Sequence, residues 1–125
     1  GDGRENISVI KSNVLPGFSM QTTLGPPQDA AEKLLSTTIA PQGSNKQASL
    51  IRAVEREADG SYVFEFIVQG IDSKGRAFEA HNLSVIAFRP RDNSLFTMTA
   101  LCKQADWQQQ KSILTQAADS FRIFQ

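Results

Sequence analysis

A single cysteine, Cys102, rules out an internal disulfide and any cysteine-built zinc finger. A single histidine, His81, cannot form a histidine-rich metal centre alone. Thirteen basic residues offset thirteen acidic ones, so the chain carries no excess of one sign. That removes the electrostatic footprint needed for duplex nucleic acid and the basic amphipathic face of a membrane-surface helix. No apolar run approaches the ~18 residues of a spanning helix. There is no Walker loop, no G-x-G-x-x-G and no H-E-x-x-H. No signal or transit peptide is read, and Gly1-Asp2-Gly3 looks like a processed end from which a targeting segment has been removed.

What remains is an ordinary globular composition, 40% apolar and 21% charged over 125 residues, the size of one domain with a real core. "NISVIK" (6–11) alternates as a short strand, and residues 12–25, broken by Pro16-Gly17, read as a long loop. "PPQDAAEKLLSTTI" reads as a helix. Its prolines fit a first turn, Asp29 and Glu32 have capping-box spacing, and Ala30, Ala31, Leu34 and Leu35 form its apolar face. Pro41 ends it.

A meander follows. Residues 48–57 run into Asp59-Gly60, a hairpin signal. Residues 61–70 put Tyr62, Phe64, Phe66 and Val68 on one face and Val63, Glu65, Ile67 and Gln69 on the other. Residues 76–88 form a long strand with a bulge expected near His81-Asn82, and 94–102 return. Strands that are apolar on both faces need cover on both sides. The last segment supplies one cover: Leu114, Ala117, Ala118 and Phe121 recur at helical spacing, behind an Asp106–Gln109 capping box.

Candidate chemistry is sparse. Cys102 and His81 make a nucleophile–base pair only if the fold brings them together. Asp72-Ser73-Lys74-Gly75 is a turn, too short and too weakly acidic for a calcium loop. Glu65 reads as a solvent-face residue, Trp107 as a packing anchor, and Asp106 as an N-cap. Arg89 and Arg91 sit on a hairpin tip, where arginine can dock on carboxylates. The start of the 76–88 strand lies beside the end of the 94–102 strand, so His81 is expected to donate to Asp106 and fix the corner that positions Trp107.

Several segments in order resemble the PsbP domain of oxygenic photosynthesis: "ENISVIKS", "DGSYVFEFIVQG", "AHNLSVIAF" and "NSLFTMTALCKQADWQQQKSILTQAADSFRIF". The likeness covers most of residues 5–124, and the C-terminal block is its most specific part. The resemblance implies an α+β fold, an αβα sandwich with a central antiparallel meander flanked by helices. It implies a single domain over 1–125 that begins at the "NLSV"-like strand, so that either the family's N-terminal strand pair and "Y-x-F-x-x-P-x-x-W"-like opening are missing or the form is a divergent one.

The resemblance also implies a function. It points to a non-catalytic extrinsic protein of the chloroplast or cyanobacterial thylakoid lumen. Such a protein binds and stabilises, or helps assemble, a photosynthetic complex, first of all the oxygen-evolving side of photosystem II. Paralogues serve photosystem I assembly or the chloroplast NDH complex. The plant subunit's N-terminal arm, tied to calcium and chloride retention, has no counterpart in this sequence. No cofactor, metal or nucleic acid is expected, and membrane association runs through protein partners. The docking or latch residues are then His81, Asp106, Trp107, Arg89 and Arg91. A small ligand-binding or enzymatic α+β domain is the reading from a different class.

Overall fold

The computed structural model describes residues 6–123. Five strands form one antiparallel sheet: β1 (Asn6–Asn13), β2 (Lys46–Glu55), β3 (Tyr62–Ile71), β4 (Ala77–Arg89) and β5 (Ser94–Lys103). Their spatial order is β1-β5-β4-β3-β2, a four-stranded meander with β1 added beside β5. Two helices complete the αβα sandwich, α1 (Pro27–Leu34) and α2 (Trp107–Ser120).

The alternation read in the sequence assigns each helix a face. Tyr62, Phe64, Phe66 and Val68 pack with Ala30, Ala31 and Leu35 on the α1 side. Val63 packs with Leu83, Val85, Met98, Ala100 and Cys102 under Trp107, Leu114 and Ala118 of α2. Because successive strand residues point to opposite faces, one ten-residue strand feeds two separate cores.

Local details depart from expectation at four places. The α1 capping box does not form: the N-cap position is Pro26, with no side-chain cap, and Asp29 lies within the first turn. Pro27 needs no partner for an N–H it lacks, so the helix can start upstream of Asp29. Glu32 instead accepts from Gln28 at 2.9 Å. Beyond Leu34 the helix widens into a π-type turn, Leu35–Ile39. The long loop before α1 likewise contains a π-type turn, Met20–Leu24, capped by Ser19, whose hydroxyl accepts from the Thr22 N–H at 3.0 Å.

The bulge is not at His81-Asn82, where β4 stays in register with both neighbours. It falls in edge strand β2 between Leu50 and Arg52, leaving Ile51 unpaired and exposed. An edge tolerates an extra residue because only one ladder is disturbed, whereas a central strand would lose two.

Candidate functional site

β4 and β5 bring His81 directly opposite Cys102. β3 brings Glu65, opposite Leu83, two residues from Ile67, the residue paired with His81. The chain then leaves β5 through a single 3-10 turn, Gln104–Asp106, and enters α2 at Trp107. These four segments converge on the imidazole of His81, which is 3% exposed. Its Nε2 lies 2.6 Å from Glu65 Oε2, and its Nδ1 lies 2.9 Å from Gln104 Oε1. The Trp107 indole stacks on the ring, with centroids 3.6 Å apart and planes 9° apart. Arg52 on β2 donates Nε–H to the other Glu65 oxygen at 3.0 Å.

Glu65 is therefore not the solvent-face residue that its place between two phenylalanines suggests. Its side chain is 15% exposed, with an ion pair to Arg52 on one oxygen and the His81 ring nitrogen on the other. Burial pushes its carboxyl up, but the bonds from His81 and Arg52 outweigh this and hold it below the ordinary value. A carboxylate inside an apolar strand needs partners, because an unpaired buried charge is costly.

The expected His81–Asp106 bond does not form, since both ring nitrogens are taken by Glu65 and Gln104. Asp106 does occupy the N-cap position of α2, but its side chain makes no cap hydrogen bond. Its backbone is already in the helical region, because the 3-10 turn leads straight into α2. A capping side chain reaches back from an extended residue, and Asp106 is not one. The residue that joins the corner to the histidine is Gln104, two positions earlier. Nothing in the sequence singles out Gln104, and Glu65 reads there as a solvent-face residue. The signal for Glu65 in the sequence was an acid inside an otherwise apolar strand.

His81 and Cys102 are neighbours, yet they do not make a nucleophile–base pair. The ring nitrogens are bonded to other groups, and Cys102 is fully buried in the α2-side core. Among the described residues, no three His, Cys, Asp or Glu side chains converge where a metal could sit. No described helix is long and apolar enough to cross a membrane.

Arg89 and Arg91 lie apart from this cluster, on the β4–β5 turn. Arg89 is committed within the turn. It makes a two-pronged bond to Asp92 at 3.0 and 2.7 Å, and its guanidinium lies 5.0 Å from the Phe96 ring centroid. The Arg89 bond holds the Asp92 carboxyl well below the usual range. Arg91 projects from a short 3-10 turn, Pro90–Asp92, and is exposed.

A model of the PsbP family matches residues 2–123. The chain belongs to the PsbP family. It is 28% identical, over 96% of its length, to the protein named CyanoP from Thermosynechococcus vestitus. It is 32% identical, over 95% of its length, to PsbP-like protein 1, chloroplastic, from Arabidopsis thaliana. The chain spans 65% of the first relative and 49% of the second. The solution structure of CyanoP from Synechocystis shares the fold, with a TM-score of 0.73 at 24% identity over 96% of this chain and 68% of that one. A Pseudomonas aeruginosa protein described as a putative regulator of unknown function also shares it, with a TM-score of 0.54 at 14% identity, covering 97% of this chain and 85% of that one. The fold alone thus does not carry a function.

Proposed function

We propose that this PsbP-family chain is a non-catalytic accessory module of oxygenic photosynthesis. It works in the thylakoid lumen, where it binds and stabilises, or helps assemble, a photosynthetic complex, with the oxygen-evolving side of photosystem II as its first partner. The observation that carries this reading is the family match over residues 2–123, with CyanoP and PsbP-like protein 1 among the relatives. The geometry supports a binding role over a reactive one. The polar groups that converge are buried and spent on one another, and the tryptophan that could serve as a ligand platform is stacked on His81. Docking then falls to the surface, where the exposed Arg91 on the β4–β5 turn offers a cation to an acidic partner.

The test is co-migration. Tagged chain added to solubilised thylakoids should run with photosystem II on a native gel. Arg91→Glu should slow association and flatten its salt dependence, because a rim charge acts mainly on the on-rate. Co-migration with photosystem I or an NDH-type complex would move the assignment to that partner. Absence of co-migration with any of the three would end the docking reading.

A further inference from the structure

The histidine cluster has a proton count built into it. Glu65 Oε2 is a carboxylate oxygen and Gln104 Oε1 an amide oxygen, so both can only accept. Each ring nitrogen must then carry a hydrogen, and the arrangement is complete only for a doubly protonated imidazole. A ring with one proton keeps it on Nε2, because the carboxylate has nothing to donate. Its Nδ1 lone pair then faces the Gln104 oxygen at 2.9 Å. One movement relieves that opposition without disturbing the backbone: the amide turns over and presents its NH2, since its oxygen and nitrogen have nearly the same shape.

We propose that Glu65, His81 and Gln104 form a proton-gated pin on the corner between β5 and α2, in which Gln104 reverses its amide as the ring gains or loses its second proton. The charged groups around the ring come from several elements. Glu65 on β3 meets its Nε2, and Arg52 on β2 holds the other carboxylate oxygen. Cys102 lies opposite on β5, and Lys103 and Asp106 flank Gln104 in the corner. The face of Trp107 is attractive to a cation, so the charged ring grips the first residue of α2 more firmly than the neutral one. Gln104 opens the turn that leads into α2, so the pin ties β4 to the helix entrance through one side chain.

The chain contains one histidine and one tryptophan, which makes the test direct. Isotope-labelled protein is titrated between about pH 5 and 8, the span over which histidine changes charge. At the acid end both ring N–H signals should be present and the Trp107 fluorescence quenched. Towards the alkaline end the Nδ1–H signal should disappear, the Gln104 NH2 should become a protected donor, and the fluorescence should recover. In Gln104→Leu, with the fold checked by near-ultraviolet circular dichroism, the fluorescence transition should move. In Gln104→Glu, which offers an acceptor at all times, the doubly protonated form should persist to higher pH. A ring that holds one protonation state throughout overturns the proposal. So does a Gln104 NH2 signal that ignores the ring, or a fluorescence transition identical in wild type and Gln104→Leu.

Discussion

β3 builds two interiors of different character. Its α1 face contributes Tyr62, Phe64 and Phe66, each at most 1% exposed, and the one polar atom they carry is the Tyr62 hydroxyl, which donates to Gly25 O at 2.7 Å. Its α2 face contributes Val63 and Glu65, and Glu65 is useful only because His81 and Arg52 meet it. The α1 side is held by area and fit, and the α2 side by area plus a polar cluster that fixes the angle of the helix entrance. Apolar contacts are non-directional and tolerate small shifts, whereas a bonded and stacked histidine has one productive position.

The largest break in this comparison is Phe64→Ala. Removing a ring from the α1-side core should cost about 3–5 kcal/mol, through lost burial and a cavity that the strand cannot close. Equilibrium denaturation in urea reads it as a large fall in midpoint. One residue along, Glu65→Ala should cost less, about 1–3 kcal/mol, because it strands the buried His81 nitrogen instead of opening a large void. The two variants should also differ in kind. Glu65→Ala should alter Trp107 fluorescence in the folded protein, and Phe64→Ala should leave it unchanged. Equal fluorescence changes in both would mean that the two faces are not separate.

A smaller and more local effect is expected at the far end of α2. Arg56, just past β2, donates to the carbonyls of Ala118 at 3.1 Å and Phe121 at 2.7 Å, which lie at the C-terminal end of the helix. Asp59 holds the same guanidinium through bonds of 3.0 and 2.7 Å. Arg56→Met should speed amide exchange in the last turn of α2 and cost about 1–2 kcal/mol of stability. Exchange in α1 should not change. Faster exchange in both helices would indicate that the tether acts on the whole sheet.

How far these differences could be read in advance follows from their physics. The faces of β3 were legible because strand alternation has period two and the aromatic residues all fall on one phase. The stripe on α2 was legible for the same reason at period 3.6, and Asp59-Gly60 marked its hairpin by turn chemistry. The His81 partners were not legible. Glu65 and Gln104 are 16 and 23 residues from His81, and register across three strands decides which of several acids and amides arrives. The His81–Asp106 expectation chose the right corner and the wrong side chain, since two residues along a 3-10 turn change the direction of projection. The β2 bulge had no signature beyond a local excess of apolar residues, and it was misplaced onto the longer strand.

The subtlest difference should appear at the two ends of the pH scale. On the α2 side the Glu65 carboxyl is held below its ordinary value, with the His81 and Arg52 bonds outweighing burial. A depressed carboxyl contributes stability above its unfolded value, and that contribution is lost as pH falls through the folded one. Asp59 behaves in the same way. Its Arg56 bond leads the causes that lower it from 3.8 to about 2, so its share is lost across that interval. On the α1 side the Tyr62 hydroxyl is raised, by burial first and by Glu55 second. A raised group contributes stability that is full below its unfolded value and is lost as pH rises through the folded one. Acid should therefore loosen the α2 side first, and strong alkali the α1 side. Amide exchange resolved by residue provides the measurement. At low pH, after correction for intrinsic rates, protection should fall around Trp107 and Ala118 before it falls at Ala30 and Leu35, and in strong alkali, beyond the span over which the histidine changes charge, the further fall should be larger at Ala30 and Leu35. Glu65→Gln should flatten the acid limb and leave the limb in strong alkali unchanged, and Tyr62→Phe should do the opposite. If either variant changes both limbs, the two cores respond as one and the contrast between them is only geometric.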